Sequence, residues 1–117
     1  MNNQSMKTAE LTVNTQEAAT GEMGQKLLIS GEMIALRLWD EEPSDTQNKK
    51  VHTRSYETAG YVIAGRAELT VAGKTIVLEP GTSWIVPQNA EHTYRILEHF
   101  RAVEATHPPA RGYESGL

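Results

Sequence analysis

No segment of this chain carries a long apolar stripe at the 3.6-residue spacing of an amphipathic helix. A helical bundle or an alternating strand–helix fold needs such segments over roughly 10–15 residues. In their place stand short runs of strand-forming residues, each cut off by a turn signal. Lys26–Ile29 and Met33–Trp39 flank Ser30-Gly31-Glu32, and Ile34, Leu36 and Leu38 fall on one face of the second run. A further strand opens at Val51. Tyr61–Val71 and Thr75–Leu78 are joined through Ala72-Gly73-Lys74, and Glu79-Pro80-Gly81 leads into Ser83–Val86. After Pro87-Gln88-Asn89-Ala90 come Glu91–Leu97 and His99–Ala105, and Pro108-Pro109 ends regular structure. The count is about eight or more short strands at even spacing, which points to an all-β sandwich or barrel.

The flanks read differently. Residues 1–24 form a polar arm in which only Leu11 and Val13 alternate as a short edge strand would. The ordered body is expected over residues 25–107, with a tail over 108–117. Asp40–Lys50 is charged, contains Pro43, and reads as a solvated loop. At 117 residues there is room for one domain, and 38% hydrophobic residues is a globular share rather than a disordered one. Lys plus Arg is 11 and Asp plus Glu is 15, a formal charge of −4. That balance, with no basic stripe, argues against nucleic acid and against an anionic membrane as partners. No apolar run approaches the length of a membrane span, and the first residues lack the pattern of a secretory signal. There is no cysteine, so disulfides, thiolate metal sites and cysteine nucleophiles are excluded. A reducing, cytoplasmic setting is the expectation.

Four polar residues stand out within this β pattern: His52, Arg54, Glu57 and His92. His52 and Arg54 are two apart, so on a strand they share a face, and Tyr94 shares a face with His92 in the same way. Glu57 falls on the other face unless the register slips by one residue. Gly60 and Gly65 read as backbone requirements, because a glycine inside a strand marks a bulge or a close approach. Tyr61 is expected on the outside of a sheet or in a subunit interface. Trp84 and Tyr94 are expected to pack, with their NH and OH groups satisfied by partners. His99 and His107 carry no expected role.

The stretch from His52 through Arg54, Glu57 and Gly60 to Gly65 resembles the first motif of the cupin family. That motif is usually a His-x-His pair, a third ligand, and a glycine seven residues later. The stretch Gly81-Thr-Ser-Trp-Ile-Val-Pro87-Gln-Asn89-Ala-Glu-His92 is similar to the second motif, with its spacing kept up to the histidine. The resemblance spans roughly residues 50–105. It implies a single small, RmlC-like jelly-roll β-barrel of two antiparallel sheets, and a homodimer.

Family members often hold a divalent metal through the two motif-one histidines, the third motif-one ligand and the motif-two histidine. Here Arg54 stands at the second histidine position, Thr58 at the third ligand position, and Ile96 at the final Asn position. Arginine cannot donate a lone pair to a metal. Asn89 stands for a glycine and tolerates the same left-handed backbone.

Three readings of the chemistry stay open. In the first, the pocket binds a small anionic molecule through His52, Arg54 and His92, with Tyr94 beside them. In the second, a metal-dependent enzyme of dioxygenase or isomerase type uses His52, His92 and Glu57 to hold iron, manganese, zinc or nickel. In the third, the barrel is structural or regulatory, and Arg54 merely pairs with Glu57 or Glu91.

Overall fold

The computed structural model describes residues 11–21, 24–44 and 51–110. They form six strands: β1 (Lys26–Ser30), β2 (Ala35–Glu41), β3 (Glu57–Val71), β4 (Lys74–Leu78), β5 (Ser83–Val86) and β6 (His92–His107). All pairings are antiparallel, and a short 3-10 turn at Thr15–Glu17 precedes them. No helix among the described residues is long and apolar enough to cross a membrane.

Two long strands build the barrel. The first half of β3 lies between β5 and the second half of β6, while its second half lies between β4 and the first half of β6. One sheet therefore runs β1-β2-β6-β3-β5, and the facing sheet runs β4-β3-β6. The β3–β6 register shifts three times between Val62 and Ala67, and there both strands turn the corner from one sheet to the other. Gly65 sits in that corner at φ +79°. This is the jelly-roll architecture.

The continuity of β6 is the main correction to the strand count. The runs Glu91–Leu97 and His99–Ala105 are one bent strand, because pairing with β3 continues through the corner, with an extra residue on β3 between Val62 and Ala64 and extra residues on β6 between Ile96 and Arg101. β3 likewise opens at Glu57, four residues before the expected Tyr61. Around Val51 no strand forms. His52 instead makes a lone bridge to His92. β2 runs on to Glu41, so the charged loop begins later than Asp40. Leu11 and Val13 are exposed and belong to no strand, because Asn14 accepts a hydrogen bond from the Gln16 backbone and turns the chain into the 3-10 turn.

The expected apolar face of β2 is also revised. Ile34 and Leu36 are exposed, and Ala35, Arg37 and Trp39 face the barrel interior. Leu38 is buried on the opposite face.

Cross-strand rows organise the interior. Ala35, Thr106, Thr58 and Val86 form one row, and Arg37, Glu104, Gly60 and Trp84 the next. Trp39, Ala102 and Val62 form a third. Directly opposed residues on antiparallel strands project to the same side, so each row points inward as a unit. The facing sheet contributes Ala67, Leu69, Leu78 and Ile96. Trp39 and Phe100 pack edge to face at 5.4 Å, joining the layers.

The short turns follow their sequence. Ala72 and Gly73 both have positive φ, as a two-residue hairpin turn with matching twist requires. Asn89 takes φ +66°, as expected. At the outer corner, His99 Nε2 stands 2.5 Å from Asp40 Oδ1, with Glu42 at 3.5 Å from its other ring nitrogen. The hydrogen bond to Asp40 holds the exposed imidazole above its ordinary pKa, which favours its protonated form.

Candidate functional site

The structure brings the two motif histidines together. His52 and His92 exchange both backbone hydrogen bonds, each at 2.9 Å, which makes them direct cross-strand partners. Their side chains therefore leave the backbone on the same side. Along β6, His92 is two residues from Tyr94, whose row partner Leu69 is fully buried, so both face the barrel. The His92 and Tyr94 rings meet edge to face at 5.8 Å. His92 Nδ1 lies 3.0 Å from the Ala90 carbonyl oxygen and donates to it, so Nε2 is the nitrogen directed onward.

Arg54 is 7% exposed and lies two residues beyond His52. The Asn89 backbone donates to the Arg54 carbonyl at 2.8 Å, tying the motif-one segment to the turn before His92. Tyr56, two residues further, is also buried, and Thr58 and Gly60 continue the same inward period. Glu57 is exposed and opposes His107 on the outer side. The register does not slip at Glu57, so this carboxylate is not directed toward the histidines. Glu57 and Glu91 are both exposed, while Arg54 is buried.

Tyr94 reaches between two tryptophans. Its ring stands edge to face with Trp39 at 4.5 Å, and its hydroxyl accepts from Trp84 Nε1 at 3.2 Å. Burial pushes its pKa up, and the nearby Glu104 charge adds to that, so the phenol stays protonated. Gly60 makes room for the Trp84 indole: a Cβ there would lie 2.3 Å from a ring carbon.

Beneath this cluster lies a buried ion pair that the motifs do not contain. Arg37 Nε donates to Glu104 Oε1 at 2.7 Å, with side chains 11% and 0% exposed. Arg37 Nη1 also donates to Tyr56 Oη at 3.4 Å. Burial alone would lower the Arg37 pKa, but Glu104 and Tyr56 outweigh it, and the net shift is upward. Arg37, Glu104 and Tyr56 were not singled out in the sequence. The period-two reading of β2 places Arg37 on the polar face, so no signal in the sequence marks it as buried opposite Glu104.

Catalytic and structural metal sites rest on three or four protein ligands. His52 and His92 supply two nitrogens, Arg54 replaces a third ligand with a fixed cation, and Glu57 faces away. Among the described residues, no group of three or more His, Asp or Glu side chains converges as a metal site would require. The donor set does not fit a metal of the family's usual kind.

The comparisons with known proteins agree with the architecture. An RmlC-like cupin from Shewanella frigidimarina superposes with a TM-score of 0.71 at 18% identity, over 85% of this chain and 90% of that one. KdgF from Halomonas sp. gives 0.66 at 20% identity, over 83% and 91%. The EutQ protein of Clostridium difficile gives 0.65 at 15% identity over 75% of this chain, which spans 64% of that protein. No curated protein sequence matches the chain. The family profile described as "Cupin domain" matches residues 37–105, from the Arg37 row on β2 to Ala105 near the end of β6, and by that match the chain belongs to the cupin family.

Proposed function

We propose that this cupin binds a small anionic molecule inside the barrel, between His52, His92 and Arg54. The observation that carries the reading is the cross-strand pairing of His52 with His92, with a buried arginine two residues along the same segment. A guanidinium offers a planar fork matched to a carboxylate or phosphate, and two imidazoles can donate to or shuttle protons for the same group. Arg54 thus supplies the positive charge that a metal supplies in other members. Tyr94 closes the apolar side of the site with a hydroxyl that stays protonated.

Calorimetric titration with inorganic phosphate and with short-chain carboxylates tests this. At least one class is expected to bind, and Arg54→Met is expected to weaken it about 10- to 100-fold, the range for a hydrogen bond to a charged group. Circular dichroism establishes that the variant is folded. Elemental analysis of protein purified without chelator is the opposing arm. A metal content near one per chain would overturn the reading in favour of a metal-dependent enzyme.

We further propose that the protein works as a homodimer through the outer face of the β2-β6-β3-β5 sheet. Leu36, Ala105, Ala59 and Ile85 form one outward row, and Tyr61 and Val103 belong to the next. Ile34, Tyr61, Ile63 and Ile85 are each about half exposed, and a recess of about 240 Å³ lies between Leu36, Tyr61 and Val103. An apolar face of this breadth suits a two-fold contact with its own copy. Sedimentation velocity is expected to show a dimer for the natural sequence and a monomer for Tyr61→Asp. A natural protein that stays monomeric at high micromolar concentration sinks the proposal.

A further inference from the structure

Glu104 is the most deeply buried charged side chain in the barrel wall, and only half of its carboxylate is used. Oε1 accepts from Arg37, while Oε2 is buried and has no hydrogen-bond donor among the described residues. Buried acceptors are rarely left so, because the lost hydration is not recovered. The next inward position in its row is Gly60, which has no side chain, and the Trp84 indole lying over Gly60 directs its NH to Tyr94 instead. The row itself thus provides Glu104 with one donor only, Arg37.

Glu104 and the histidine–arginine site share one interior. Tyr56 follows Arg54 at the strand period and stands against Arg37, and Tyr94 touches His92 while feeling the charges of Glu104 and Arg37. In the proposed anion site, a molecule with its anionic end at His52, Arg54 and His92 would extend past Tyr94 and Tyr56, the two side chains that link that site to Arg37 and Glu104.

From this we infer that Glu104 Oε2 accepts a hydrogen bond from a neutral hydroxyl of the ligand, so that the barrel selects hydroxylated anions over their deoxy counterparts. The donor is neutral because Arg37 already balances the Glu104 charge. An ammonium donor would bring a second cation next to the buried guanidinium, and like charges repel strongly there. The aromatic walls suit the same class, since Trp39, Trp84, Tyr56 and Tyr94 cover C–H faces while Glu104 takes the hydroxyl.

This inference rests on the anion-binding reading, and matched probes separate the two. Two pairs differ by their hydroxyls: lactate against propionate, and gluconate against hexanoate. Each is titrated calorimetrically into the natural protein and into Glu104→Gln, which keeps the side chain's shape but turns a donor toward the ligand. The hydroxylated member of at least one pair is expected to bind about 10- to 100-fold tighter than its partner. That preference is expected to shrink to within a few-fold in Glu104→Gln, while the deoxy member binds both proteins alike. Equal binding of both members to the natural protein overturns the hydroxyl inference and leaves the anion site standing. A preference unchanged in Glu104→Gln overturns the role of Glu104. Binding of neither member of either pair overturns the inference and the anion site together. A Glu104→Gln protein that fails to fold is replaced by Arg37→Lys, which leaves Oε2 in place. The hydroxyl preference is expected to persist there, and its loss counts against Glu104.

Discussion

Replacing Gly65 by alanine is expected to remove about 4 kcal/mol or more of folding free energy, in the range that only a few mechanisms reach. A Cβ at this position would lie 1.8 Å from the His99 carbonyl oxygen, 2.5 Å from its carbon and 2.9 Å from the Phe100 Cα. All three are backbone atoms, so no rotamer change relieves the contact. The φ of +79° adds strain of about 1–3 kcal/mol for a side-chain-bearing residue. Small domains have only about 5–15 kcal/mol in total. Chemical denaturation monitored by circular dichroism is therefore expected to find the Gly65→Ala midpoint moved far toward zero denaturant, with a large share of the total stability gone. Gly73→Ala is the control: it has a similar φ of +80° and nothing within 4 Å, so it reports the strain without the clash. Equal midpoints for the two variants would show that the corner does not depend on the close approach of β3 to β6.

The second large effect concerns the ion pair. Arg37→Ala leaves the Glu104 carboxylate buried without its partner, and such a break costs about 3–5 kcal/mol. Arg37→Met combined with Glu104→Leu removes both charges and restores apolar volume, so it is expected to lie within about 1–2 kcal/mol of the natural protein. With Arg37→Met and Glu104→Leu as the single variants, the changes should therefore not add, and the double-mutant cycle is expected to give a coupling of about 3 kcal/mol or more. Urea unfolding of the four proteins measures it. Additive effects would mean that the pair contributes through packing alone. The same double variant is expected to lose the hydroxyl preference inferred for Glu104, which calorimetric titration with the same probe pairs checks.

The β character and the barrel were legible because alternation and turn residues act locally. Ala72-Gly73 and Asn89 were readable for that reason, since positive φ is a property of the residue and its neighbours. The corner was not. His99–Ala105 looked like a new strand after Glu91–Leu97, because nothing local distinguishes a strand that bends from one that stops. The bend accompanies register shifts shared between β3 and β6, which only the pairing of the two strands defines. The inward face of β2 misled for a related reason. Ile34 and Leu36 are the more apolar side, yet they face outward, and the interior takes Arg37 because Glu104 stands opposite. Of the candidate site, the shared face of His92 and Tyr94 follows from period-two spacing, and the two motifs single out His52, Arg54 and His92. Arg37 and Glu104 are far apart in sequence and meaningful only as a pair, so neither drew notice alone.

The shared strands also dictate how the barrel can breathe. A sandwich of two separate sheets can part along its seam, whereas here β3 and β6 are each sewn into both walls. Separating the walls would strip the longest ladder in the molecule, an opening close in cost to global unfolding. The segment carrying His52 is held differently, by the reciprocal backbone pair with His92 and by bonds from Gln88 and Asn89 to Ser55 and Arg54, with no continuous ladder. Breathing is cheapest there. An opening there parts the two imidazoles first, the pair on which the proposed anion site rests.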